Sequence, residues 1–378
     1  MRITEVKTHQ VGHVLDEPFE SSFSLFEHRR YALVEIRCDN GLTGWGECLG
    51  PAALNAAVVQ AMAGRLVGQD ARSIEPIWLE LYSQFRDQGQ RGIILTALSG
   101  IDIALWDLAG QYRECPVYEL MGGTFRDSVP AYATGGFRVV GRERADTLVE
   151  EARAALEAGF EAIKIKIGFG VEADLEAIGT VRDAIGPKVA LMIDANHGYD
   201  RLNAQRLGNG AEQFDLAWFE EPVVPEDLDG YRQLRTRQPL AIAGGETWHG
   251  RWAIAQALKA DAVDILQPDV CGIGGLSEAR KVLTLADVAQ VRVVPHVWGT
   301  GIAMAAALQF HAILPPSPPA FETQSVLFEF DRTPNPLRDA LLVDPIHAEQ
   351  GKVAIPEGYG LGVTINPDAL QHFTSESA

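Results

Sequence analysis

Six apolar runs in the later two-thirds of the chain end in ionisable side chains: AIKIK at Lys166, LMID at Asp194, WFEE at Glu220, AIAGGE at Glu246, DILQPD at Asp269 and VRVVPH at His296. Their spacings are 28, 26, 26, 23 and 27 residues, about one strand-plus-helix unit each. Asp194, Glu220 and Glu246 supply three carboxylates in succession. Brought into one dry mouth, they repel one another unless a cation sits between them. An all-oxygen donor set without Cys or His suits a hard ion that keeps positions open for water and substrate, Mg²⁺ first and Mn²⁺ as substitute. The competing reading of the trio is a salt-bridge network with Lys164 and Lys166. Glu221 follows Glu220 directly, and strand alternation sends it the other way, into a structural role.

Lys164 and Lys166 lie two apart on one strand and so point to one side. A lysine beside a metal and a second ammonium is expected to have a lowered pKa, which makes it a usable base. Lys166, nearer the strand end, is the candidate base. Lys164 would tune it or hold a substrate carboxylate, and both could instead be counter-ions of the acids. Asp269 precedes His296 in the series. A carboxylate beside an imidazole fixes its tautomer and raises its basicity, so His296 is a candidate second acid/base group, on the opposite face of the substrate. A metal, a lysine and a histidine together suit removal of a proton α to a carboxylate, with the enediolate stabilised where its charge develops.

Such groups need a frame that gathers strand ends. Strands this apolar are buried on both faces, and alternation of strands with helical stretches such as Ala145 to Leu156 and Leu175 to Ala184 predicts a parallel sheet with crossover helices. In a (β/α)₈-type barrel all strand ends open on one mouth, which explains the six charges together. The first part of the chain reads differently. Arg30 to Arg37 is expected as a strand, Asp39-Asn40-Gly41 as a turn and Leu42 to Glu47 as the returning strand. Helices are expected over Ala53 to Leu66, Ile77 to Phe85 and Ile93 to Gln111. This is a small α+β domain. The glycine-rich stretches at Gly168 to Gly170 and Gly272 to Gly275 lack the dinucleotide-binding spacing and read as loops.

With 32 basic and 51 acidic residues the net charge is −19 over 378 residues. No Lys/Arg cluster offers a nucleic-acid face, and the apolar runs read as too short to span a membrane. The start of the chain lacks the pattern of a signal peptide, which points to a cytoplasmic protein. Cys38, Cys48, Cys115 and Cys271 have no metal-type spacing and read as free thiols.

The runs AIKIKIG (162–168), LMIDANHGY (191–199), WFEEPV (218–223), AGGETW (243–248), DILQPD (264–269) and VVPHVWGTG (293–301) resemble the mandelate racemase subgroup of the enolase superfamily. GWGE (44–47) and LSGIDIALWDLAG (98–110) are similar to its capping domain, and FEFDRTPNPLRDALL (328–342) to its final strand. The resemblance implies a (β/α)₇β modified TIM barrel, residues 128–349, under an α+β capping domain, residues 1–127 completed by 350–378. It implies Asp194, Glu220 and Glu246 as Mg²⁺ ligands, Lys166 and His296 as acid/base groups, and Asp269 as the partner of His296. It also implies a glutamate on the last strand as hydrogen-bond donor to the enediolate, for which Glu329 is preferred over Glu322. Asn196, His197 and Trp298, with the cap loops near Phe19 to Ser22 and Gly50 to Leu54, are the expected substrate contacts. A homo-oligomer is expected by the same resemblance.

Within the subgroup, EPFESS (17–22), GECLGPAALNAAVVQA (46–61), DQGQRG (87–92), DANHGY (194–199) and VCGIGG (270–275) look most like the galactarolactone cycloisomerase branch. That implies opening of a sugar-diacid lactone to a 3-deoxy-2-keto diacid. The alternatives are an acid-sugar dehydratase, a racemase or epimerase, a metal-dependent aldolase and a non-catalytic sugar-acid binder.

Overall fold

Strands β1 (Ile3–Glu20), β2 (Leu25–Cys38) and β3 (Thr43–Cys48) form an antiparallel sheet in the order β3-β2-β1. The computed structural model describes every residue except 319, 321, 322, 377 and 378. Glu322, the second candidate for the last-strand donor, therefore lies outside the described residues. β2 begins five residues before the expected strand, and β1 was not expected at all. Its charged and apolar residues are mixed rather than alternating, so it carries little period-two signal.

Helices α1 (Ala52–Leu66) and α3 (Ile93–Arg113) pack against this sheet, and α2 (Ile74–Phe85) packs against both helices. On α2 the buried positions are Ile74, Ile77, Trp78, Leu81 and Tyr82, the single stripe of an amphipathic helix. By contrast, α3 is apolar nearly all round. Its length and composition would allow it to cross a membrane, yet 94% of its apolar window is buried inside the molecule. It touches β3, α1 and α2, which makes it the central helix of the cap.

After the short helix α4 (Val117–Leu120) the chain enters β4 (Ser128–Gly135). β5 (Arg138–Val139) then leaves the barrel and pairs with Phe19 and Glu20 at the end of β1, so the second domain contributes a strand to the cap sheet. The units that follow are β6 (Ala162–Lys166), β7 (Ala190–Asp194), β8 (Leu216–Glu220), β9 (Ile242–Gly244), β10 (Ile265–Leu266), β11 (Arg292–Val293) and β12 (Phe328–Asp331). They alternate with α5 (Arg144–Glu157), α6 (Val171–Ile185), α7 (Arg201–Ala211), α8 (Leu228–Arg237), α9 (Gly250–Lys259), α10 (Gly275–Ala289) and α11 (Gly301–Ala312). The strands run parallel in the order β12-β4-β6-β7-β8-β9-β10-β11.

Tyr132, Ala162, Met192, Trp218, Ala243, Ile265 and Val294, one from each successive strand or its continuation, pack together with Leu327. This is the inward-facing layer of a barrel. Among the described residues no backbone ladder joins β11 to β12. A side chain spans that seam, because Val297 N donates to Glu329 Oε2 at 3.2 Å.

Beyond α12 (Pro336–Ala340), the hairpin β13 (Ala348–Glu349) and β14 (Lys352–Ala354) pairs with the start of β4. From there the chain returns to the cap. Leu361 N donates to Asp107 at 2.9 Å, and α13 (Pro367–Glu376) lies on β1.

Candidate active site

The ladder from β6 to β8 brings Lys166, Asp194 and Glu220 side by side, because Lys166 pairs with Asp194 and Asp194 with Glu220. The later strands stop short of their charged residues. β9 ends at Gly244, β10 at Leu266 and β11 at Val293, so Glu246, Asp269 and His296 stand on the loops that follow. The cause is local. Gly245 has φ 144, while Pro268 and Pro295 carry no N–H for a ladder.

Asp194, Glu220 and Glu246 nevertheless converge, with one oxygen from each within 4.8 Å of the others. At an effective dielectric of about 20, two carboxylates at that distance repel by roughly 3 kcal/mol. Lys164 and Lys166 answer part of this charge. Lys164 Nζ is 2.6 Å from Glu220 and 2.8 Å from Glu329, and it is fully buried. It therefore sits below the mouth as a bridge between two carboxylates rather than at a substrate surface. Lys166 Nζ bonds Asp194 and lies 5.3 Å from the Phe137 ring centre.

The protein's own cations do not complete the neutralisation. Burial and the neighbouring Asp194 push Glu220 up to about 7, against the pull of Lys164. Glu246 Oε2 makes no hydrogen bond, although His296 Nε2 lies 3.3 Å away. A hard divalent cation fits that unsatisfied oxygen and the all-oxygen donor set.

His296 Nδ1 lies 2.6 Å from Asp269 Oδ2, and its Nε2 is 3.3 Å from Glu246. Asp269 Oδ1 also accepts from Cys271 N at 2.6 Å, which fixes the carboxylate. Burial opposes a charge on His296, but Glu246, the Asp269 hydrogen bond and Glu329 outweigh it and raise the imidazole to about 10. For Lys166, too, burial acts downward and is overcome, mainly by Asp194, so its pKa is raised. The lowered lysine is expected beside a bound cation, which is not part of this charge environment. The carboxylate in contact with it outweighs both burial and the second ammonium.

Glu329 accepts from Thr134 Oγ1 at 2.7 Å and from Lys164 on the same oxygen. Burial raises its pKa, but Lys164, His296 and Lys166 overcome this and hold it near 2. The last-strand glutamate thus accepts from Thr134 and Lys164, and the expected role of donor concerns a bound enediolate.

Glu221 departs from its expected orientation. β8 ends at Glu220, and Glu221 adopts φ 44, so alternation no longer applies. Its carboxylate lies 3.1 Å from His197 Nε2, 3.5 Å from Asn196 Nδ2 and 3.4 Å from Thr247 Oγ1, at the mouth. Asn196 and His197 have φ 40 and 65, a rare backbone region for such residues that costs of order 1–3 kcal/mol each. His197 N donates to Glu221 O at 2.9 Å, which helps to hold this geometry. Both ring nitrogens of His197 face protein acceptors, Glu221 and the Val223 carbonyl at 3.4 Å. Asn196 Nδ2 turns to Asp194 at 3.2 Å.

Trp298, the third expected contact, belongs to an aromatic wall with Phe26 and Phe137, with the Arg29 guanidinium 4.2 Å from its ring. A cavity of about 520 Å³ between β1, β2 and the start of α1 meets the site only at Trp298 and is lined by none of the six ionisable groups. Sequence reading missed Gln267, whose Nε2 donates to Glu220 at 2.7 Å. It stands two residues before Asp269 as a polar side chain in an otherwise apolar run, and that was the available signal.

Residues 3–122 match the family model for the mandelate racemase / muconate lactonizing enzyme N-terminal domain, and residues 147–369 match the enolase C-terminal domain-like model. The chain is 56% identical over 373 residues to the D-galactarolactone cycloisomerase of Agrobacterium fabrum, covering 99% of each chain. The crystal structure of the 3,6-anhydro-D-galactonate cycloisomerase from Zobellia galactanivorans superposes with a TM-score of 0.89 at 38% identity, covering 99% of each chain. A racemase from Streptomyces coelicolor A3(2) with bound magnesium superposes with a TM-score of 0.88 at 28% identity, over 98% of this chain and 99% of that one.

Proposed function

The chain belongs to the mandelate racemase/muconate lactonizing enzyme group of the enolase superfamily, and from that premise we propose that it is a cycloisomerase opening a 1,4-lactone of a sugar diacid, of the D-galactarolactone type. The observation that carries the reading is the convergence of three carboxylates with Lys166 at the Asp194 end and the Asp269–His296 pair at the Glu246 end. The similarity to the Agrobacterium enzyme narrows the substrate to a lactone.

Asp194, Glu220 and Glu246 are assigned to hold Mg²⁺, with Mn²⁺ as substitute. When bound, the ion supplies positive charge at the substrate carboxylate, where negative charge collects as the α-proton leaves. Lys166 or His296 takes that proton. Engagement of Asp194 and Glu246 by a cation would weaken the pulls that keep Lys166 and His296 protonated, and would so let either act as a base. Asp269 holds the His296 tautomer and leaves Nε2 as the working nitrogen.

The electron pair from the C–H bond forms the double bond to the β-carbon, and the ring C–O bond breaks. The ring oxygen leaves as a carboxylate, whose acid has a pKa of roughly 4, against about 15.7 for water. The lactone therefore needs no acid to assist departure. Loss of hydroxide from an open diacid would need His296 as donor. The resulting enol becomes a 3-deoxy-2-keto diacid on tautomerisation. Four free cysteines suit a reducing setting, in keeping with a cytoplasmic enzyme.

NMR in D₂O with a panel of aldarolactones and open aldarates tests the reading. A 3-deoxy-2-keto product from the lactone alone is expected. The same product from the open diacid would make the enzyme a dehydratase. α-Deuteration without elimination would make it an epimerase, and pyruvate release an aldolase. Lys166→Ala should abolish turnover, and a near-normal rate would remove Lys166 from the mechanism.

A further inference from the structure

Asp174 lies on the first turn of α6, and its side chain is completely buried. One carboxylate oxygen accepts from Gly168 N at 2.7 Å and Phe169 N at 2.9 Å, in the loop just after Lys166. The same oxygen takes the hydroxyl of Tyr199, which stands in the loop after Asp194. Its other oxygen accepts from Arg144 Nη1 at 2.8 Å, and Arg144 Nη2 donates to the backbone carbonyl of Lys166 at 2.9 Å. One buried carboxylate thus ties together the loops that follow the candidate base and the first metal ligand, and its arginine grips the peptide of the base itself.

The other side of the same two loops leaves no slack. A Cβ on Gly168 would lie 2.6 Å from Ser22 Cβ and 2.9 Å from Ala195 O. Ser22 Oγ donates to Asn196 O at 2.9 Å, so the cap loop is fastened to the second loop. The loops are held from below by Asp174 and from above by the cap.

We infer that Arg144, Asp174 and Tyr199 form a positioning network that sets Lys166 against the substrate α-carbon. The inference rests on the assignment of Lys166 as a proton-handling group. No hydrogen bond or ion pair among the described residues joins the three to the acids of the metal site, so the network acts through the backbone. A displacement near 1 Å at a reacting group costs up to about 100-fold in rate, and that is the scale on which such a network registers.

The test compares Tyr199→Phe, Arg144→Lys and Lys166→Ala in the full-length enzyme with D-galactaro-1,4-lactone and Mg²⁺. Tyr199→Phe removes only the hydroxyl that links the loops. It should lower kcat roughly 10- to 100-fold while KM and the Mg²⁺ concentration for half-maximal activity stay within about twofold. Arg144→Lys can keep the ion pair to Asp174 but cannot also hold the Lys166 carbonyl with a forked group. It should retain a near-wild-type Tm and still lose kcat. A purely structural network predicts the opposite split, with Tm lowered and kcat at 25 °C within twofold of wild type for both variants. That result, alongside an inactive Lys166→Ala enzyme, would overturn the network alone. An active Lys166→Ala enzyme would overturn the assignment of Lys166 and the network with it.

Discussion

At the residue scale the site is a charge problem whose solution shows in its partners. Asp194 is held near 2: burial alone would raise it, and Lys166 and Lys164 overcome that. Glu220 is shared among Lys164, Gln267 and Trp218. Glu246 alone of the trio has a buried oxygen without a hydrogen bond, faced only at 3.3 Å by His296 Nε2, so a cation gains most there. Glu246→Gln should therefore abolish metal-linked stabilisation. Addition of Mg²⁺ should raise the Tm of the wild type, by the equivalent of about 2.7 kcal/mol at 100 times Kd, and leave the variant unmoved. Equal shifts in the two thermal melts would remove Glu246 from the ligand set. This residue was legible in the sequence, because a carboxylate after an apolar strand in register with two others has few other uses. Glu221 was not. Its orientation depends on a left-handed backbone at a non-glycine position, which periodicity cannot reveal.

At the element scale the GWGE segment shows how a cap strand is fitted to its helix. β3 lies so close to α3 that a Cβ on Gly46 would fall 2.0 Å from Gly100 O. Gly46→Ala must push strand and helix apart, which costs roughly 1–3 kcal/mol or more. The expected outcome is a lower denaturant midpoint with an unchanged m-value, and an unchanged midpoint would show that the sheet yields freely. The same strand places Glu47, which accepts from Thr300 N at 3.0 Å and Ala303 N at 3.1 Å at the start of α11. Cap and barrel thus meet at a helix N-terminus four residues after His296. Helices were the legible elements: α1, α3 and α5 match their expected bounds to within about two residues at either end. β5 and the β13–β14 hairpin were invisible because two- and three-residue strands hold too few side chains for a period. The charged residues after β9, β10 and β11 come together beside Asp194 and Glu220, although glycine and proline stop the ladder before reaching them.

For the whole molecule, the seam between cap and barrel carries a pH signature. Asp102 on α3 accepts from Ser277 N at 2.9 Å at the start of α10, and its second oxygen has no partner. Burial, only partly offset by the Ser277 contacts, pushes it up to about 7, with Glu75 and Lys281 acting in opposite directions. A carboxyl raised on folding binds a proton more tightly in the native state. Its contribution is complete below the unfolded value near 3.8 and is lost as pH rises through about 7. The ceiling is about 4 kcal/mol across that window. Urea melts at pH 4.5 and 7.5 should show a steeper loss for the wild type than for Asp102→Asn. Parallel losses would show that the proton is not taken up at Asp102.

The stave arrangement has a further consequence. Seven of its joints are backbone ladders, which no substitution of side chains can lengthen. The joint between Val293 and Phe328 is spanned instead by replaceable side chains, Glu329 accepting from Val297 N and Arg292 donating to Gln324 just before β12. It stands beside His296. Substitution of side chains can let out the ring at this joint, as a tailor opens a garment along its stitched edge, without cutting the cloth.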